Sequence, residues 1–188
     1  MSMELLDWFH KGLTTDEYVA GMKVNKDEMN KIYSEYSLNQ GEKEQIQAIR
    51  NKELKAIVIS EDWCGDAMLN NPILLKIAEE AQIEVRFILR DQNLELMDQY
   101  LTNGTARSIP IFIFIDRNGE EKAVWGPRAE KLQELVTSER SKLPNQESPD
   151  FKDKQMEMYK HLRERYQQEE ELWHTVAGSI LTTLSKIQ

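Results

Sequence analysis

The sequence predicts an α/β fold: a three-layer α/β/α sandwich around a mixed four-stranded sheet, with extra helices at both ends. Three observations predict it. Short, continuously apolar runs alternate with stretches whose apolar residues recur every three or four positions, as buried strands and their helical crossovers do. The run Ile111 to Ile115 is followed by Asp116-Arg117-Asn118-Gly119, a hairpin turn, so the last two strands are antiparallel. Between the run Ala56 to Ser60 and the helix that follows it lies Trp63-Cys64-Gly65-Asp66-Ala67, the one stretch where a nucleophilic side chain stands at a strand-to-helix junction.

The first forty residues read as helices. Thr14-Thr15-Asp16-Glu17 has capping-box spacing ahead of Tyr18, Val19 and Met22, and Asn25-Lys26-Asp27-Glu28 repeats it ahead of Met29, Ile32, Tyr33 and Tyr36. Each stripe must be buried, either on a face or edge of the sheet or in a separate binding module. A helix over 41–52 carries Ile46 and Ile49 inward. Ala56 to Ser60 is apolar on both faces, as a central strand must be. The helix after Cys64 turns Leu74, Leu75, Ile77 and Ala78 inward, and Pro72 within it predicts a kink. Glu84 to Leu89 is a strand parallel to the first. Leu94, Met97 and Leu101 predict a helix ending near Asn103-Gly104. Beyond the Ile111 to Ile115 strand, Asn118-Gly119 supplies positive φ and Glu121 to Trp125 returns antiparallel. Gly126-Pro127 then leads into a helix through Leu132, Leu135 and Val136.

Residues 142–150, with two prolines among polar side chains, read as a linker. Tyr159, Leu162, Tyr166, Trp173, Val176, Ile180, Leu184 and Ile187 follow at helical steps, interrupted by Gln167-Gln168-Glu169-Glu170-Glu171. An unbroken helix over 150–187 would run to about 55 Å at ~1.5 Å per residue, so it either breaks or projects. Two placements stay open: a satellite layer with the N-terminal helices, or the seam of a homodimer. The predicted organisation is therefore an N-terminal helical extension over 1–40, a domain over 41–142 and a C-terminal helix over 150–188 that packs on the domain or in a dimer.

Composition narrows the function classes. A net charge of −9 with no segregated basic patch argues against nucleic acid and anionic membranes as partners. No apolar stretch approaches the ~20 residues that span a bilayer. A single cysteine allows no internal disulfide, which suits a cytoplasmic location, and the start lacks the basic and long apolar regions of a secretory signal. His10, His161 and His174 are scattered, with no ligand spacing and no glycine-rich phosphate loop, so neither a metal nor a nucleotide cofactor is implied.

A lone cysteine is often a small buried hydrophobe. At a helix start, however, unpaired N–H groups and the helix dipole favour the thiolate, and Cys64 becomes the candidate catalytic residue. Asp66 opposes this as a nearby negative charge, as does Asp62 if it faces the thiol. Trp63 and Trp125 read equally as site walls or core. Pro110 reads as the plain start of a strand.

Trp63, Cys64 and Gly65, with Pro72 spaced as a helix proline, resemble the Trp-Cys-Gly-Pro-Cys motif of thioredoxins. Asp91-Gln92-Asn93, Arg107-Ser108-Ile109-Pro110 and Asn118-Gly119 resemble further thioredoxin landmarks in the same order, over roughly residues 41–142. The resemblance implies a thioredoxin-like fold and a thiol–disulfide oxidoreductase. It also implies a cis Ile109–Pro110 bond beside the sulfur, with Trp63, Gly65, Asp66, Ile109 and Pro110 meeting a substrate segment that pairs with the Ile109 backbone. Two departures stand out: Ala67 occupies the position of the second cysteine, and Val58 that of the buried acid which helps deprotonate it. The expectation is a monothiol protein whose Cys64 forms mixed disulfides with a protein or low-molecular-weight thiol, resolved from outside. The alternative is a non-catalytic binding or scaffold protein.

Overall fold

The computed structural model describes residues 2–188. Four helices come first: α1 (Leu5–Lys11), α2 (Thr15–Gly21), α3 (Lys26–Glu35) and α4 (Gln40–Ile49). Strand β1 (Lys55–Ser60), helix α5 (Gly65–Ala81) and strand β2 (Glu84–Leu89) form a parallel crossover unit. After the short α6 (Leu94–Met97), β3 (Ile111–Ile115) and β4 (Glu121–Trp125) make an antiparallel hairpin, and α7 (Glu130–Ser141), α8 (Phe151–Gln168) and α9 (Glu170–Ser185) close the chain. The sheet order is β2-β1-β3-β4, with β1 central and antiparallel to β3.

Alternation of side chains splits the core in two. Ala56 and Val58 face Val85, Phe87, Phe112, Phe114 and Trp125 on the side covered by α5, while Ile57 and Ile59 share the other side with Ile88, Ile111, Ile113 and Ile115. The second side is covered by Trp8 and Phe9 of α1 and by Leu96 and Met97 of α6. The N-terminal helices thus divide their work. Helix α1 covers one face, Leu13 pairs with Phe87 at the free edge of β2, and α3 packs on α5 on the opposite face. Among the described residues no strand precedes β1, in keeping with the helical reading of the first forty residues.

The C-terminal segment breaks at Glu169, which leaves helical geometry at φ −94° and ψ 98° inside the polar interruption. It packs on the domain, but not as the satellite layer with the N-terminal helices that the stripe suggested. Helices α8 and α9 pack directly on α5 and α7, with α9 also reaching α4 and β4, so they belong to the main core and form no satellite layer. The reason is α5, buried on nearly every side, which needs covering away from the sheet as well as on it. Trp173, Val176, Ile180, Leu184 and Ile187 are spent within the chain, whereas Tyr159 lies off the stripe and is 41% exposed.

Three local expectations are corrected. Asn25 does not cap α3 with its side chain: it sits at φ +59° with its amide directed elsewhere. The helix from Leu94 lasts one turn, because Arg107 holds Asp98 (2.8 and 3.1 Å) and Asn103 and Gly104, both at positive φ, fold the following residues into a tight turn. In the hairpin only Gly119 has positive φ, at 86°, and a β-bulge at Phe114/Ile115 absorbs the register. A Cβ at Gly119 would come within 2.8 Å of the Leu6 Cβ, so α1 packs on the turn only because residue 119 is glycine.

Candidate functional site

The carboxyl end of β1 delivers the chain to a short loop, Glu61-Asp62-Trp63, and then to Cys64, the residue that caps α5. The cap is made by sulfur. Cys64 Sγ accepts the Ala67 N–H at 3.4 Å, and its thiol donates to the Ile109 carbonyl, also at 3.4 Å. The Ile109–Pro110 peptide is cis, and both residues are buried. Cys64, Ile109 and Pro110 are therefore brought together as the motif resemblance implied, with the Ile109 carbonyl already taken by the thiol.

Trp63 is a surface residue, 47% exposed, with the Arg90 guanidinium 4.7 Å above its ring. Trp125, by contrast, is core: it stacks on Phe112 and donates Nε1–H to the Ser179 hydroxyl at 2.9 Å. That settles the two tryptophans in opposite senses. Gly65 lies under α8, where a Cβ would meet the Arg163 Cγ at 3.6 Å. Asp66 turns away from Ile109 and toward α8. Its carboxylate receives Arg128 at 2.8 and 3.0 Å and the Tyr166 hydroxyl at 3.4 Å. Asp62 is also engaged elsewhere, its Oδ2 taking the N–H groups of Lys23 at 2.7 Å and Val24 at 3.3 Å.

These surroundings set the thiol. Burial pushes Cys64 up to about 11, and the Asp66 charge pushes the same way; the Ala67 and Asp66 N–H groups and Arg128 pull it down by less. The helix start acts in the expected direction, but desolvation outweighs it. Burial likewise raises the Asp66 carboxyl above its ordinary range, against the pull of Arg128. At the two positions where the stretch departs from the thioredoxin pattern, Ala67 is buried and Val58 lies in the sheet core between Phe87 and Phe112.

Several residues at the site carried no motif in the sequence. Arg128 and Tyr166 are 62 and 100 positions from Asp66. Gly126, at φ 128°, runs so close to the cis-proline that a Cβ there would stand 2.2 Å from the Pro110 carbonyl oxygen. Asn70, fully buried, donates to the Pro127 carbonyl at 2.9 Å and fixes that second segment against α5. Of these, only the Gly-Pro pair left a signal, read in the sequence as the entry to a helix.

A sequence-family model described as Thioredoxin matches residues 12–140. The chain belongs to the thioredoxin family. The match to the thioredoxin model starts well before the motif-bearing stretch and takes in α2, α3 and α4. No curated protein matches the sequence. Among solved structures, a protein of unknown function from Pseudomonas aeruginosa is 14% identical and aligns over 97% of this chain and 98% of its own, with a TM-score of 0.71. An HIV epitope-scaffold protein is 16% identical over 99% of this chain and 100% of its own, with a TM-score of 0.70. A thioredoxin from Fasciola hepatica, 26% identical, aligns over 50% of this chain and 88% of its own with a TM-score of 0.34. The first two share the thioredoxin-like fold of this chain together with both of its helical ends. No helix among the described residues is long and apolar enough to cross a membrane.

Proposed function

We propose that this thioredoxin-family protein is a monothiol protein of thiol–disulfide exchange. One observation carries the reading: the Cys64 sulfur stands at the start of α5, 3.4 Å from the Ile109 carbonyl and beside the exposed Trp63. A partner's sulfur arriving over Trp63 meets Cys64 first. Cys64 gives its proton to solvent and its thiolate attacks one sulfur of the disulfide. A Cys64–sulfur bond forms, the old S–S bond breaks, and the departing thiolate takes up a proton. With Ala67 in place of a second thiol, the mixed disulfide persists until an external thiol attacks it, releasing Cys64 as thiolate and carrying the partner sulfur away in a new disulfide. Protein and low-molecular-weight disulfides both fit this scheme, and the homodimer remains part of the proposal only as a covalent or surface pairing, since the apolar stripe of α9 is internal.

Burial of the thiol makes attack slow at neutral pH, because few molecules carry the thiolate at any moment. That same observation favours a second reading, a binding protein of thioredoxin fold whose Cys64 is inert. Intact mass after incubation with oxidised glutathione separates the two. One glutathionyl group on the wild-type chain, absent from Cys64→Ser and removed by excess free thiol, is the expected result. An unmodified wild-type chain, under conditions where the urea-unfolded chain is fully modified, overturns the exchange reading in favour of the binding protein.

A further inference from the structure

Both terminal extensions meet on the loop that carries Cys64, and they meet through one side chain. Asn25, between α2 and α3, is 5% exposed and donates Nδ2–H to the Asp62 backbone carbonyl at 2.8 Å. Its Oδ1 accepts from Arg163 Nη2 of α8. Arg163 in turn lies over Gly65, the first residue of α5, while the N–H groups of Lys23 and Val24 hold the Asp62 carboxylate. The amide oxygen and one amide N–H of Asn25 thereby join three segments that are remote in sequence. Its φ of +59° is a conformation that asparagine tolerates better than most side chains, so the position itself selects a short amide.

We propose that Asn25 and Arg163 form a latch on residues 61–65, positioning residues that hold the Cys64 sulfur inward against Ile109, and that opening this latch regulates the exchange reaction on whose reading this inference rests. Elsewhere the loop is held at Glu61, whose Oε1 accepts the Asp91 N–H at 2.9 Å, and at Trp63, whose ring lies under the Arg90 guanidinium. Cys64 N–H reaches the Glu61 carbonyl only at 3.4 Å, whereas from Ala67 onward α5 is packed into the core. Freeing the Asp62 carbonyl from Asn25, while Lys23 and Val24 still hold the Asp62 carboxylate, lets Trp63 and Cys64 turn outward about that anchor, which returns water to the sulfur and costs it the Ile109 carbonyl. Asp66, Arg128 and Tyr166 sit behind the thiol and keep their own contacts. A partner that pulls on α8, or on the segment between α2 and α3, would bare the thiol.

The test is the rate and pH midpoint of iodoacetamide alkylation at Cys64 in Asn25→Gly, Arg163→Met and the double variant. Glycine accepts the backbone of position 25 and deletes both arms; Arg163→Met deletes one partner and keeps the side-chain length. Each single variant should alkylate about fivefold faster than wild type at pH 8, the equivalent of one hydrogen bond's net worth, with a lower midpoint. The double variant should be no faster than the faster single one, because a latch opens once. Asn25→Asp, which keeps the acceptor for Arg163 and loses the donor to Asp62, should fall between. Unchanged or slower alkylation in variants that still unfold cooperatively, or additive effects in the double variant, overturns the latch. If Asn25→Gly does not fold, Arg163→Met alone decides. Alkylation reads the latch without any disulfide, so a latch that passes together with a chain that takes no glutathione would discard the exchange reading and leave the latch standing.

Discussion

Arg128 grips Asp66 through two contacts, Nη2 to Oδ2 at 2.8 Å and Nε to Oδ1 at 3.0 Å, immediately behind the Cys64 sulfur. The pair is mostly buried, with 17% and 14% of the two side chains exposed, and Tyr166 of α8 closes it from the far side. A residue of the stretch over 63–67 is thus bound into the structure by the segment after β4 and by α8. The charge that opposes a thiolate at Cys64 is held in place by the fold, and so is the charge that partly answers it.

Alkylation of wild-type Cys64 against pH should have its midpoint near 11, well above the ~8.5 of a free cysteine. In Asp66→Asn the midpoint should fall, since the repelling carboxylate is gone and Arg128 is left unpaired beside the sulfur. The same variant should lose about 3–5 kcal/mol of stability in urea titration, because it breaks a mostly buried ion pair and strands its cation. A midpoint that does not move would mean the thiol is governed by burial alone.

Because the folded thiol titrates above the unfolded one, it contributes stability that is complete below about 8.5 and is lost as pH rises through about 11. Cys64→Ala should flatten that part of the melting-temperature profile. A profile identical to wild type between those limits would contradict the raised thiol.

His174 of α9 meets the buried Glu42 of α4, Nδ1 to Oε1 at 2.6 Å, and Glu170 at 3.5 Å through Nε2. Burial lowers the affinity of the imidazole for its proton, but the hydrogen bonds and charges of Glu42 and Glu170 overcome it and raise the group above its ordinary value. The pairing stabilises the fold fully below about 6.5 and is lost as pH rises through the higher folded value. His174→Gln should remove this loss from melting curves taken between about pH 6 and 8, the span in which histidine changes charge.

Removing residues 150–188 should prevent folding. The segment contributes Leu162, Tyr166, Trp173, Val176, Ile180, Leu181 and Leu184 to the main core, each worth roughly 1.5–3 kcal/mol when fully buried, against a typical net stability of about 5–15 kcal/mol. A soluble fragment with a sharp thermal transition would show instead that α5 can be covered without α8 and α9.

Gly126→Ala should be destabilising by about 1–3 kcal/mol, since it adds a Cβ against the Pro110 carbonyl at a positive φ. Its alkylation rate at Cys64 should change as well, because Pro110 and Ile109 must shift together. A variant as stable as wild type would show that the close approach can relax.

Periodicity carried the four strands and the crossover, the Asn118-Gly119 turn the sense of the last pair, and the stretch over 63–67 the start of α5, because each depends on neighbours within one strand, one turn or one helical turn. The motif placed Cys64 beside Ile109 and Pro110 for a related reason, since the same ladder that pairs β1 with β3 brings the two loops to one end of the sheet. What the local pattern left open was where its apolar stripes would be buried. Tyr159 and Leu162 look alike along α8, and only its packing on α5 and α7 leaves one in water and the other in the core. Charge could be read even less. Asp66 is a carboxylate near a sulfur in the sequence, but its partners Arg128 and Tyr166 lie 62 and 100 residues away, and the desolvation that raises the thiol comes from chain segments that meet only when folded. Short-range geometry thus decided the elements and the place of the thiol, whereas the tertiary structure decided its reactivity, because burial and long-range ion pairs are properties of the assembled core.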